Sequence, residues 1–252
     1  MPNDPSEGLK SLIALSMHKA GSTIASAILA EICAEKGYAI DLIAKQVPAS
    51  PVPEPEFYIA YQEKMRDEGV FYGIARGPYV KDMPRLFGLK TVVQVRDPRD
   101  CLTSAYYSFT QSHVPPRDPE KLRIFQQRQE RIARMSIDAY VLRQAPSYRD
   151  RMAVLRTILG VHDDALLVTY EEMVDFTDDW LDRLCDFIGQ PRTDALMARL
   201  AGKIDFSVEA EDEAAHKRQV TPGDHRRKLS AKTIAALNKV LGDELRWFGY
   251  AV

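Results

Sequence analysis

Strand-like apolar runs alternate along the chain with longer stretches of helical periodicity, and this alternation constrains the fold most. The intervals between the apolar runs are mostly filled by helix candidates, and this order is typical of an α/β protein with a mainly parallel sheet. Several apolar runs are almost uninterrupted, as in strands that are covered on both faces. The predicted strands are 11–16, 38–43, 70–75, 91–95 and 165–169. The predicted helices are 22–36, 98–111, 119–144, 147–160, 177–188, 192–201 and 230–247.

Two segments break the alternation. Residues 47–57 are rich in proline, which predicts a semi-rigid loop, and residues 207–228 are charged and poorly patterned, which predicts a second long loop. Neither segment separates two α/β patterns. We therefore expect one domain over residues 1–252, with a flexible N-terminal tail at 1–9.

Composition and charge exclude several classes of function. The formal net charge of −2 gives no global attraction to nucleic acid or to a membrane surface, so any polyanion site must be local. No apolar stretch approaches the roughly 20 residues that span a bilayer, and the N-terminal segment lacks the layout of a signal peptide. The three widely spaced cysteines are interpreted as buried reduced thiols. These features predict a cytoplasmic protein.

The stretch "SMHKAGST" at residues 16–23 joins a predicted strand to a predicted helix. A strand, a tight glycine turn and a helix start are the parts of a phosphate-binding loop. In the common nucleotide loop, G-x-x-x-x-G-K-[ST], the lysine follows the glycines. Here Lys19 precedes Gly21, so the loop predicts a phosphate site of another kind.

A second strand-to-helix corner lies in "TVVQVRDPRDCLTSAYYSF" at residues 91–109. Arg96 ends a buried strand, Asp97 and Pro98 suit the start of a helix, and Ser104 lies about two turns into it. The alternative is that Arg96 only pairs with Asp97 or Asp100. Two corners that each offer a cation and a hydroxyl suit a ligand with two separate phosphate groups. An arginine where kinases place a Mg²⁺-binding carboxylate argues against a metal-bound nucleoside triphosphate.

Ordered landmarks follow one another from residue 11 to residue 250. They are "HKAGST", "VRDPRDCLTSAYYSF", "LLVTYEEM", "LCDFIGQP", "HKRQVTPGDHRRKLS" and "LRWFGY". The first is similar to the phosphosulfate loop P-K-[ST]-G-T-T-W, and the second to the 3′-phosphate motif R-[ND]-P-x-D, with a serine eight residues after the arginine. Over essentially its whole length the chain resembles the cytosolic-type sulfotransferases that use 3′-phosphoadenosine 5′-phosphosulfate (PAPS).

This resemblance implies both a fold and a reaction. The fold would be a three-layer α/β sandwich, P-loop-like, with about five mainly parallel strands between helices. The reaction would move a sulfuryl group from PAPS to a hydroxyl or amine of a small molecule, without a metal, and leave 3′-phosphoadenosine 5′-phosphate (PAP). By resemblance, Lys19 contacts the bridging oxygen of the phosphosulfate. The other implied donor-site residues are Ala20, Gly21, Ser22 and Thr23 for the 5′-phosphosulfate, Arg96, Ser104 and Arg218 for the 3′-phosphate, and Tyr170 and Phe206 for adenine.

The sequence departs from the family at the general base. Members carry a histidine in a K-T-H-x-P stretch, but the matching stretch here is "IARGPYV", with Arg76 roughly in the position of that histidine. Arginine stays protonated and cannot act as a base near neutral pH. His18 is the first candidate for the base because an imidazole beside the reacting sulfur titrates near neutral pH. Its alternative role is only to close the turn.

Other candidates surround the expected acceptor. Glu54 and Glu56, in the proline-rich segment, and His113, after the second corner, are further candidates for the base. Arg76, His113 and Tyr58 are expected to contact the acceptor.

Two other functions compete with the sulfotransferase prediction. A small-molecule kinase would need ATP and Mg²⁺, and the sequence lacks the order G-x-x-x-x-G-K. A non-catalytic protein that binds an adenosine bisphosphate would fit the missing family base. The identity of the acceptor, and whether the protein forms a homodimer, stay open at this stage.

Overall fold

A five-stranded parallel sheet organises the chain in the computed structural model, which describes residues 8–50, 52–77, 82–112, 118–206 and 220–252. The strand order is β2-β3-β1-β4-β5, so β1 lies in the middle and pairs with both β3 and β4. The predicted α/β class with about five parallel strands is confirmed. The strands are β1 (Leu12–Ser16), β2 (Ala39–Ile40), β3 (Val70–Arg76), β4 (Lys90–Val95) and β5 (Ala165–Thr169).

Helices occupy most of the rest of the described chain. Short 3₁₀ turns follow β2, follow α2 and precede β4, and a π-helical turn at Ser108–Ser112 continues α3. The α-helices are α1 (Ser22–Lys36), α2 (Glu54–Tyr61), α3 (Pro98–Tyr107), α4 (Pro119–Ala133), α5 (Ile137–Val161), α6 (Tyr170–Asp175), α7 (Thr177–Ile188), α8 (Asp194–Leu200), α9 (Asp224–Lys228) and α10 (Ala231–Trp247).

The chain divides into two units, and the first contains the whole sheet. It comprises residues up to Arg96 together with 153–205. All five residues of β1 are buried, which explains why four of them are apolar and the fifth, Ser16, is small. Isoleucine and leucine side chains of α1 and the Trp180 side chain of α7 are also buried in this unit. Burial of apolar side chains on this scale is the main favourable term in its stability.

The second unit comprises residues 97–152 and 206–252 and is helical. Its buried apolar residues come from α3, α5 and α10, for example Leu102, Val141 and Leu241. Arg99 is also buried here: its guanidinium pairs with Asp97 at 2.7 Å and donates to the side chain of Asn238 and to the backbone carbonyl of Ala251. These bonds satisfy an arginine that would otherwise be costly to bury.

Two sequence predictions near β2 and α2 need correction. The predicted strand 38–43 pairs with β3 only at Ala39–Ile40, and the chain then turns into a 3₁₀ helix at Ile43–Lys45. The proline-rich segment 47–57 is not wholly a loop, because α2 begins at Glu54. Pro53 is the N-cap of α2 and Pro55 lies in its first turn, where a missing N–H removes no helical hydrogen bond.

The predicted boundary between the helices 119–144 and 147–160 is wrong. The break falls at residues 134–136, where the Ser136 hydroxyl accepts from the Ala139 N–H and begins α5. Pro146 lies inside α5, between the buried residues Ala145 and Tyr148. Tertiary packing therefore outweighs the local cost of the proline.

Two further predicted elements end differently in the structure. The predicted helix 98–111 is α-helical only to Tyr107 and continues as the π-helical turn. The predicted loop 207–228 contains α9 at its C-terminal end, and its residues 207–219 lie outside the described part of the chain. Residues 1–7 of the predicted N-terminal tail also lie outside it.

The three cysteines, Cys33, Cys101 and Cys185, are free and buried, as the sequence predicted. Burial raises the pKa of Cys185 to about 11 and also raises the pKa of Cys33. Thiols with raised pKa values form little thiolate near neutral pH, so these two are not nucleophiles. In the described ranges of the chain, no helix is both long enough and apolar enough to cross a bilayer.

Candidate functional site

The carboxyl edge of the sheet in the first unit brings together the side chains that the sequence singles out. The loop 17–21 leaves the end of β1, and Ser16 is in register with Arg76 of β3 and with Gln94 of β4. Arg96 follows the end of β4. Ligands of open parallel α/β sheets bind at this edge, so the sheet topology supports a ligand site here.

The loop is held in a strained shape at Lys19. Lys19 has φ of 70°, which makes it the only non-glycine residue with a positive φ within the described ranges. Such a conformation costs about 1–3 kcal/mol and persists where the surroundings enforce it. Here the Arg96 guanidinium donates to the Lys19 carbonyl at 3.1 Å, and the Gln94 amide donates to the Ala20 carbonyl at 3.3 Å. Two side chains at the end of β4 therefore fix two consecutive loop carbonyls.

Arg96 and Tyr170 pack against each other beneath the loop. The guanidinium carbon lies 4.1 Å from the centroid of the tyrosine ring, a cation–π contact, and both residues are buried. Tyr170 begins α6, whose start is fixed by a capping box between Thr169 and Glu172. The capping box thus fixes the position of the Tyr170 ring after the end of β5, and this ring packs against the buried Arg96 guanidinium.

Gly21 is required by the position of Tyr170. Gly21 has φ of 70° and is the N-cap of α1, and a Cβ atom added to it would lie 2.6 Å from Cδ2 of Tyr170. Both the positive φ and the close approach exclude other residues. Tertiary packing against Tyr170, as well as the backbone conformation of the turn, therefore requires glycine at position 21.

Arg76 reaches the two hydroxyl residues that begin α1. Its Nε donates to Ser22 Oγ at 2.7 Å, and its Nη2 donates to Thr23 Oγ1 at 3.3 Å. The first turn of α1 contains no acidic residue. No carboxylate of α1 itself therefore competes for the N–H groups at this helix start, which favours an anion there.

The residues proposed around the acceptor occupy different environments. His18 is exposed on the loop, next to Lys19, and Glu56 is exposed on α2. Tyr58 of α2 is fully buried. Burial raises the pKa of Tyr58, and the neighbouring Glu54 carboxylate raises it further, while the charge of Arg76 lowers it. Glu54, Tyr58 and Arg76 therefore form one interacting group beside the start of α1.

The second unit contains the other predicted site residues. Asp97 caps α3 through the Arg99 N–H, and Pro98 is its first residue, as the sequence predicted. Ser104 is partly exposed on α3, and Phe206 is partly buried at the end of the described range. His113 and Arg218 lie outside the described residues.

Asp100 has a structural role that the sequence did not reveal. It is almost fully buried and accepts hydrogen bonds from the backbone N–H groups of Gly223 and His225 at 2.7 and 2.9 Å. The His225 ring Nδ1 lies 2.6 Å from the same carboxylate. Asp100 thereby anchors the start of α9. The D in R-D-P-R-D was the only available signal.

Among the described residues, no group of three or more His, Cys, Asp or Glu side chains is placed to hold a metal ion. The polar groups at the sheet edge are instead cations and hydroxyls, which suit a bound anion.

Comparison with known proteins agrees with this geometry. The family model of the sulfotransferase domain matches residues 86–240. The solved structure of mouse sulfotransferase SULT7A1 complexed with PAP is similar to the chain, with a TM-score of 0.65 at 14% identity, and the match covers 97% of this chain and 89% of that chain. No curated protein sequence matches significantly.

Two further solved structures have the same fold. Retinol dehydratase in complex with androsterone and the inactive cofactor PAP has a TM-score of 0.56 at 17% identity, and the match covers 98% of this chain and 82% of that chain. Sulfotransferase STF9 from Mycobacterium avium has a TM-score of 0.51 at 13% identity, and the match covers 96% of this chain and 78% of that chain. At these identities the likeness establishes the fold.

Replacing Gly21 by alanine tests the packing of the loop. We expect Gly21→Ala to lower the free energy of unfolding by about 1–3 kcal/mol, because the residue would be strained at positive φ and would press on Tyr170. Urea denaturation measures the change. Gly160→Ala is the control, because an added Cβ there meets no atom within 4 Å. An equal loss in both variants would contradict the predicted role of Gly21.

Replacing Asp100 by asparagine tests the anchor of α9. One amide oxygen cannot accept from the three N–H groups that face Asp100, so Asp100→Asn should lower the free energy of unfolding by roughly 1–3 kcal/mol. The exposed Asp150, which pairs with Arg149 at the surface, offers the matched control Asp150→Asn. That control should change stability by no more than about 0.5 kcal/mol. Chemical denaturation of both variants distinguishes an anchor from an ordinary surface carboxylate.

Proposed function

The chain belongs to the sulfotransferase domain family, and from this membership we propose how its residues transfer a sulfuryl group from PAPS to a small molecule that carries a hydroxyl or an amine. The observation that carries the proposal is the strained Lys19 loop, fixed by Arg96 at the carboxyl edge of the sheet. A loop held in this way presents a cation and a helix start to one anion without further reorganisation.

The reaction is an in-line displacement at sulfur. The acceptor oxygen or nitrogen forms a bond to sulfur as the bond from sulfur to the 5′-phosphate oxygen breaks, and that oxygen leaves with the electron pair on PAP. The acceptor proton passes to a base. The Lys19 ammonium stabilises the leaving oxygen, whose negative charge grows toward the transition state, so the interaction favours the transition state over the ground state.

The donor's two phosphate groups would bind at the two corners. The backbone N–H groups of residues 20–23 and the start of α1 suit the 5′-phosphosulfate, because no acidic side chain lies in the first turn. Arg96, Ser104 and Arg218 are proposed to hold the 3′-phosphate. Tyr170 and Phe206 are proposed to contact adenine. Tyr170 is buried under the Arg96 guanidinium, so only a limited part of its ring is available for the proposed contact with adenine.

The acceptor is proposed to be a small organic molecule. Structures of retinol dehydratase, a protein of the same fold, hold androsterone or retinol, and an uncharged ligand of that kind needs no basic surface. The free, buried cysteines support a cytoplasmic location, where thiols stay reduced. A homodimer stays a prediction, as do acceptor contacts by Arg76, His113 and Tyr58.

His18 is proposed as the general base, with Glu54 as the competing candidate. His18 is exposed directly before Lys19, so its imidazole stands next to the residue proposed to stabilise the leaving oxygen. Glu54 is favoured by its interaction with Tyr58 beside Arg76. Glu56 and His113 are less supported, because the exposed Glu56 has no comparable partner described around it and His113 lies outside the described residues.

Turnover and ligand binding test the proposed function. We expect PAP to stabilise the wild-type protein in a thermal-shift assay without magnesium, and labelled PAPS to sulfate members of a panel of phenols, alcohols and amines. Lys19→Met should lower kcat by about 100-fold or more, because removal of one preorganised charge typically costs that much. Lys232→Met, at an exposed site on α10, is the control. Stabilisation by Mg-ATP alone would instead indicate a kinase, and PAP binding without turnover would indicate a sensor.

The pH dependence of kcat distinguishes the two candidate bases. A histidine base gives a rate that rises with pH as the ring loses its proton, since only the neutral ring accepts one. His18→Ala should lower kcat by roughly 100-fold and remove this limb. Glu54→Gln should leave the limb in place. The opposite pair of results would assign the base to Glu54.

A further inference from the structure

Arg76 occupies the end of β3, in register with the last residue of β1. Its side chain is directed along the sheet edge to the first two residues of α1, which lie 53 and 54 positions earlier in the chain. Two different nitrogens donate: Nε donates to Ser22 Oγ, and Nη2 donates to Thr23 Oγ1. One guanidinium therefore bridges two neighbouring hydroxyl groups.

The chemistry of these bonds fixes the direction of both hydroxyls. Arginine has only donors, so both hydroxyl oxygens act as acceptors in the contact. The hydrogen of each hydroxyl must then point away from the guanidinium. A donor bond from a cation also withdraws electron density from the hydroxyl, which makes the hydroxyl itself a stronger donor.

The backbone around Arg76 is also held. Arg76 ends β3, which pairs with β1, and Ala75 and Arg76 are in register with Leu15 and Ser16. Because residues 70–75 of β3 are buried, this end of the strand has little freedom to shift. A guanidinium that is attached to a fixed backbone and donates two hydrogen bonds can hold both of its partner hydroxyls in one orientation.

We propose that Arg76 is a positioning residue that orients the Ser22 and Thr23 hydroxyls as hydrogen-bond donors to the 5′-phosphosulfate of the sulfuryl donor. This inference rests on the proposed function. It assigns to Arg76 a role in donor binding, exerted through Ser22 and Thr23, where the sequence suggested an acceptor contact. A permanent cation in this position also explains why the base must lie elsewhere.

A double-mutant cycle on PAP affinity tests the inference. Isothermal titration should show that Arg76→Met weakens PAP binding by about 10-fold or more, and that Ser22→Ala weakens it by about 5-fold or more, since hydrogen bonds to charged groups contribute about 1.5–3 kcal/mol. In the Arg76→Met background, Ser22→Ala should cost less than about 2-fold, because the hydroxyl is no longer oriented. Thr23→Val should behave in the same way. Arg76→Lys should recover only part of the affinity, because one ammonium does not reproduce the fork.

The control is Arg199→Met. Arg199 also bonds to α1, but through Glu35 and Glu31 toward the other end of the helix. It should leave PAP affinity within about 2-fold, as expected for a surface ion pair. Denaturation curves without ligand verify that each variant is folded, and the Ser22→Ala and Thr23→Val variants carry the test if Arg76→Met does not fold.

Three results would overturn the inference. Additive effects of Arg76→Met and Ser22→Ala would indicate that Arg76 contacts the ligand directly. Unchanged PAP affinity with a raised KM for the acceptor would return Arg76 to the acceptor side. Lower stability with unchanged PAP affinity would make its role structural. Failure of the wild-type protein to bind PAP would instead overturn the proposed function, so the two failures are distinguishable.

Discussion

The hydrogen bond from Arg96 to the Lys19 carbonyl is the interaction on which the site depends. It holds a lysine in a conformation that lysine rarely adopts, and Arg96 is itself fixed by stacking on Tyr170. Tyr170 also leaves no room for a side chain at residue 21. The positions of the loop, the end of β4 and the start of α6 therefore depend on one another. The strain at Lys19 is offset by these contacts, which hold the backbone of the loop in place.

Three cations, Lys19, Arg76 and Arg96, belong to one sheet edge in a chain whose formal net charge is −2. Cations at one edge of a sheet suit a bound anion, and an anion that binds only the folded protein stabilises it. These side chains therefore suit an anion although the chain as a whole has no excess of positive charge.

Much of the fold could be predicted because burial imposes a simple pattern. The strands β1, β4 and β5 match the predicted runs to within a residue, because each is a short and mainly apolar run. This holds even for β5, which lies at the edge of the sheet and is only partly buried. The errors arise where local and tertiary preferences conflict. Pro146 looks like a helix end, yet it lies within α5 between buried neighbours. Pro53 and Pro55 look like loop residues, yet the first turn of a helix accepts them.

The sequence by itself determined the two corners: a lysine placed before a single glycine, hydroxyls at a helix start, and an arginine followed by the Asp-Pro cap of a second helix. These are local features, and local backbone chemistry specifies them. Only the tertiary structure decided their partners. Arg96 reaches a carbonyl 77 residues away, Arg76 a hydroxyl 54 residues away, and Asp100 a histidine 125 residues away. No local pattern encodes such contacts, because the parallel order of the strands, and not proximity along the chain, brings Arg76 and Arg96 beside the loop.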